Sequence, residues 1–174
     1  IVAMLILAMY LWGWLSSYSF TLPENTTKSK RTIGFIAGFG LLVIVQVVLG
    51  TQVREGIDVL AKEMGEGERA NWISNLDWIY DVHSFYYIIM AVMVGLWLDL
   101  KKYAAFKPAN LLRNSMALII VAEVLVGIGM HRLGIPKILQ PTHLLLATLL
   151  FATVFSLLIV MAKAKEKKIE LETI

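Results

Sequence analysis

Five apolar stretches, Ile1–Phe20, Ile33–Val53, Leu76–Leu98, Asn114–Met130 and Pro141–Ala162, occupy most of this chain. Runs of about 18 or more apolar residues can cross a hydrocarbon layer of about 30 Å as helices. Inside hydrocarbon no water is at hand for a backbone N–H or C=O, so such runs must bond internally along their length. The expected fold is therefore an all-α integral membrane protein. About five transmembrane helices are expected, the last four forming an antiparallel four-helix bundle. A hydrophobic share of 58% in 174 residues rules out a soluble domain built around an ordinary core.

The charges avoid these stretches and collect in alternate loops. One set of loops and the tail hold Lys28, Lys30, Arg31, Lys101, Lys102, Lys107, Arg113, Lys163, Lys165, Lys167 and Lys168, and the other set holds Arg54, Lys62, Arg69, Arg132 and Lys137. Cytoplasmic loops carry the excess of Lys and Arg, so this asymmetry puts the C-terminus in the cytoplasm and the loop 54–74 outside. A bacterial-type inner membrane, with lipid as the main partner, is the expected setting. No basic face of the kind that binds nucleic acid is present. The chain has no cysteine, which excludes disulfides, iron–sulfur clusters, thiolate zinc sites and covalent heme attachment through C-x-x-C-H.

Only three histidines occur, and two stand near the starts of apolar stretches. His83 precedes Asp99 by about 24 Å of helix and His143 precedes Ala162 by about 29 Å, so both belong near the outer side of the membrane. Ionisable residues at such depth are functional candidates by default. Two imidazoles at matching depth on two parallel helices can hold a non-covalent b-type heme iron from both sides. The alternative is a pair of interfacial histidines that merely hydrogen-bond in a wet mouth. Ser84 and Thr142 are the expected partners for the ring nitrogens facing away from the metal. Arg54 and Arg132, at the outer ends of the second and fourth stretches, fit the carboxylates of a heme, or simple interfacial anchoring. His131 reads as a loop histidine just past the fourth stretch. Glu123, alone in an apolar helix, is expected to be neutral and turned into the bundle near Gln46. Ser74 and Asp77 resemble a capping box for the third stretch.

A short internal repeat supports a duplicated helix pair. VQVVLGTQVR (Val45 to Arg54) aligns with AEVLVGIGMH (Ala122 to His131), matching Gln46 to Glu123 and Gly50 to Gly127. Each copy is followed by a helix with a histidine near its start.

Three elements, QVVLGTQVRE (Gln46 to Glu55), WIYDVHSF (Trp78 to Phe85) and ILQPTHLLLATLLFA (Ile138 to Ala152), resemble the C-terminal half of the heme A synthase family. The resemblance implies that residues 1–20 are the last helix of a preceding half. It makes residues 33–162 a four-helix heme-binding membrane domain, followed by a charged cytoplasmic tail at 163–174. It implies an oxidoreductase that converts a methyl group of heme O to the formyl group of heme A. In this half it implies a heme b whose iron ligands fall on His83 and His143. Substrate heme O and the catalytic glutamate belong by resemblance to the other half, so this chain is not expected to be active alone. Heme O synthase and a terminal oxidase are the implied partners. Ser84 departs from the family pattern, where arginine often follows the histidine, and His131 has no assigned family role. Two other readings are a single-heme cytochrome b subunit that only passes electrons, and a non-catalytic scaffold in a respiratory assembly.

The charge asymmetry makes a topological prediction. Cysteines placed at Glu66 and Lys137 should react with an impermeant thiol reagent in intact cells, and those at Lys101 and Lys165 should react only after lysis. The opposite pattern would invert the orientation.

Overall fold

The computed structural model describes residues 2–167 and is helical nearly throughout. Among the described residues seven α-helices follow in order: α1 (Val2–Ser16), α2 (Lys30–Met64), α3 (Arg69–Trp72), α4 (Trp78–His83), α5 (Tyr86–Asp99), α6 (Lys107–Arg132) and α7 (Leu139–Lys163). Four spans, Lys30–Met64, Trp78–Tyr103, Lys107–Arg132 and Leu139–Lys163, are long and apolar enough to cross a membrane, and α1 is a shorter apolar helix. The part of the expected charged tail at 168–174 lies outside the described residues.

The four spans pack in a ring, α2 against α7, α7 against α6, α6 against α5, and α5 back against α2, while α1 lies on α7. Neighbours run antiparallel. At one end Thr32 on α2 meets Asp99 at the end of α5, and at the other Tyr80 on α4 meets His131 at the end of α6. The basic loops of the two charge classes accordingly sit at opposite ends of the bundle.

Helix boundaries differ from the sequence expectation in three places. The second stretch does not stop at Val53 but continues to Met64. Val53, Ile57, Leu60, Ala61 and Met64 recur at helical spacing and pack on Trp72 and Ile135 in a small cluster above the bundle. Gly65, at φ 80°, ends that helix. The third span is not one helix: it breaks at Ser84–Phe85. Phe85, at φ −73° and ψ 50°, makes an inverse γ-turn in which Tyr86 N–H donates to Ser84 O at 2.7 Å. Its cap is Asp77, not Ser74: the Asp77 carboxylate accepts from Ile79 N–H at 3.0 Å, whereas the Ser74 hydroxyl donates to Asn71 O. Finally, α6 begins at Lys107 with Pro108 in its first turn and runs through Arg132, which puts His131 in the last helical turn and not in a loop.

The two halves of the bundle are packed differently. Toward the end carrying Thr32 and Asp99, the side chains of Ile36, Phe39, Leu96, Met116, Ile120 and Leu157 are almost wholly buried in one continuous core. That end is closed by Tyr103, whose hydroxyl accepts from Ser29 N–H and donates to Thr27 O. Lys165 adds a backbone bridge to Thr21, and Lys167 pairs with Glu24 and holds its carboxyl below the ordinary range. Toward the other end the helices part around a cavity.

Thr32 is fully buried and its hydroxyl donates to Asp99 Oδ2 at 2.6 Å, tying the start of α2 to the end of α5. Hydrogen bonds to charged groups contribute about 1.5–3 kcal/mol, so Thr32→Val should lower stability by about that amount in reversible unfolding in detergent. Thr32→Ser should restore most of it.

Candidate functional site

The cavity encloses about 1080 Å³ and reaches from Val43, Ile89, Ile120 and Leu150, at the upper edge of the core, to Arg54, Arg132 and Lys137 at its mouth. That is at the top of the usual range of about 300–1,000 Å³ for ligand sites, and enough for a large flat molecule. Its roof is the outer cluster of Ile57, Trp72 and Ile135. Arg69 fastens the roof by donating from Nη1 to Ile135 O at 2.6 Å. Ile135 has φ 56°, a conformation rare for a β-branched residue. It is held there by its buried side chain, by the Arg69 bond, and by its own N–H on Met130 O, which closes α6 in a Schellman-type turn after Gly134.

His83 and His143 both line this cavity. Their ring centres are 6.2 Å apart and their planes stand at 83°. The α4–α5 break matters here, because His83 ends α4 and its ring is delivered from a helix terminus, while His143 lies in the second turn of α7. Each ring is backed by a glycine of the repeat. A β-carbon at Gly50 would stand 3.1 Å from His83 Cε1, and one at Gly127 would stand 3.5 Å from His143 Cε1. The aligned positions of the two copies thus do the same job, α2 supporting α4 and α6 supporting α7.

Neither expected hydroxyl partner serves the rings. Thr142 donates to Ile138 O at 3.0 Å, the usual back-bond of a helical threonine. Ser84 caps α4, and His83 Nδ1 is buried without an aligned hydrogen-bond partner. The group beside His143 is Glu123, whose Oε2 lies 3.2 Å from Nδ1, in contact but outside hydrogen-bond alignment. Glu123 is therefore turned into the bundle, and the residue it meets is His143.

At the mouth, Arg54 pairs with Asp58 one turn on at 3.1 Å and is well exposed, as is Arg132. His131 is not an isolated loop histidine. Its Nδ1 lies 2.5 Å from the Tyr80 hydroxyl, the two rings are nearly parallel, and both residues line the cavity. Sequence reasoning passed over Tyr80 and Trp72. Tyr80 stands one turn before His83, and Trp72 is a large apolar residue in an otherwise polar loop, which is the signal that the loop folds back as a roof. Among the described residues no three His, Asp or Glu side chains gather as a ligand set for a bare metal ion.

Fold and site together define a membrane-embedded helix bundle with a deep, cofactor-sized cavity and two neighbouring imidazoles in its wall. A family model described as COX15-CtaA, cytochrome oxidase assembly protein, matches residues 1–155. The chain belongs to that family, the heme A synthase family. Membership gives it a role in cytochrome oxidase assembly and heme A synthesis. No curated protein and no solved structure gives a significant match.

The glycine geometry makes an asymmetric prediction. Gly50→Ala must push the His83 ring aside by a few tenths of an ångström, at the cost of about 1–3 kcal/mol usual for overpacking. Gly127→Ala makes only an ordinary contact and should be close to neutral. Thermal unfolding of both variants in the same detergent compares them directly.

Proposed function

We propose that residues 33–162 are the heme b-binding, electron-transfer unit of a heme A synthase, with His83 and His143 as the two axial ligands. The observation that carries this reading is the pair of rings lining one cavity, 6.2 Å between centres. Metal–imidazole bonds of about 2.0 Å on either side of one iron place two ring centres about 6 Å apart. Two protein imidazoles also suit an iron whose remaining positions are filled by a macrocycle.

The residues divide the work. His83 and His143 hold the iron, Gly50 leaves room for the His83 ring, and Gly127 lies in contact with the His143 ring. The apolar floor of Val43, Ile89, Ile120 and Leu150 excludes water from that end of the cavity. Arg54 and Arg132 stand at the mouth, where the propionates of a heme would meet cationic donors. Heme b, when bound, supplies one-electron chemistry, while the protein orients it and sets its potential. In this reading the unit passes electrons for oxidation of the heme O methyl group to the formyl group of heme A. Substrate heme O occupies the other half of the enzyme, and heme O synthase or a terminal oxidase is the partner. The C-terminus is cytoplasmic and the heme lies near the outer face of a bacterial-type inner membrane.

Spectroscopy of the purified chain tests the assignment. The reduced protein should show a six-coordinate, low-spin b-type spectrum. His83→Ala and His143→Ala should each weaken it, convert it to high spin or abolish it. His131→Ala should leave it largely intact. An unchanged spectrum in either ligand variant would overturn the assignment.

A further inference from the structure

The two copies of the repeat support their histidines with different chemistry. On α2, the aligned position is Gln46, a neutral amide that lines the same cavity as His83. On α6, the residue aligned with Gln46 is Glu123, and its carboxyl reaches His143 with Oε2 3.2 Å from Nδ1. Glu123 is the only ionisable residue between Arg113 and His131 on that helix. An acid at that depth is costly in hydrocarbon and calls for a reason. Among the described residues its Oε2 has no aligned hydrogen bond, and the group it meets is the His143 ring. A role in fastening helices would have given that oxygen a fixed donor on a neighbouring helix, as Asp99 has in Thr32.

We propose that Glu123 is a positioning residue for His143. Its carboxylate, in place of the neutral acid expected from the sequence, accepts a hydrogen bond from Nδ1–H, which fixes the tautomer and leaves Nε2 with the lone pair for iron. A carboxylate acceptor on Nδ1 makes the imidazole a more electron-rich ligand than a neutral acceptor does, and an electron-rich ligand favours ferric over ferrous iron. The two ligands are thus unequal: the aligned supporting residue is the neutral Gln46 on the His83 side and an acid 3.2 Å from Nδ1 on the His143 side. The inequality lowers the potential of the site and makes it the better electron donor. This inference rests on the heme reading above and adds to it the residue that tunes the site.

The test is a redox titration of the full chain, loaded with heme b in lipid nanodiscs and followed at the b-type bands. Glu123→Gln keeps the shape and the acceptor oxygen and removes the acid. At a fixed potential the ferric-to-ferrous ratio should fall about tenfold in the variant, an upward shift of about 59 mV for one electron. The low-spin spectrum should persist, and Glu123→Asp should shift the ratio less than Glu123→Gln does. An unchanged potential in a Glu123→Gln protein that keeps its low-spin bands overturns the proposal. If that variant loses its heme, the wild-type chain decides. Its redox-difference infrared spectrum, with ¹³C-labelled glutamate, should contain a glutamate carboxyl band that responds to reduction, and the lack of one overturns the proposal. A wild-type chain without a bis-imidazole spectrum overturns the heme reading itself, an outcome seen before any variant is made.

Discussion

Every feature of this chain follows from the lack of hydrogen-bonding solvent in the membrane interior. A backbone amide left unpaired there costs several kcal/mol, so the spans are helices wherever they face lipid. The one interruption within a span, at Ser84–Phe85, meets the same demand by other means. The amides of Ser84, Phe85, Tyr86 and Ile88 find carbonyl acceptors on Tyr80, Val82, Ser84 and Phe85 respectively. Irregular backbone at such a depth is tolerated where it borders protein or a cavity, and here His83 and Ser84 line the cavity.

That break changes what the bundle can hold. A continuous helix would present His83 as one of many side chains along a cylinder. Ending α4 at His83 lets the following residues turn, so the ring enters the space between helices opposite His143. The cavity exists because the bundle concentrates its tight packing at the other end, where Phe39, Leu96, Met116 and Leu157 interdigitate. A well-filled core at one end fixes the helix positions, and the helices can then diverge at the other without losing register. The extension of α2 to Met64 and the roof around Trp72 close over the opening.

The duplicated helix pair accounts for the symmetry of the site and also for its asymmetry. Gly50 and Gly127 back the two rings alike, and Gln46 and Glu123 treat them differently. Farther out, the aligned positions are Arg54, which pairs with Asp58, and His131, which pairs with Tyr80. Duplication provides two equivalent histidine positions, and divergence at the supporting positions can then give each ring its own surroundings.

The sequence alone determined the apolar spans, their helical state, the charge classes at the two ends and the candidate ligands His83 and His143. Those properties are local: they depend on runs of residues and on the demand that backbone groups bond within their own segment. The repeat also marked Gly50 and Gly127 as equivalent, though not what they touch. Only the tertiary structure decided that Glu123 meets His143, that Thr142 spends its hydroxyl on its own helix, that Tyr80 receives His131, and that α2 continues past Val53. Helices that are apolar nearly all round carry no polar stripe to mark their inward face. Which residues meet across the bundle is then settled by packing between helices, through contacts of small residues, ring edges and one half-buried acid that no single segment encodes.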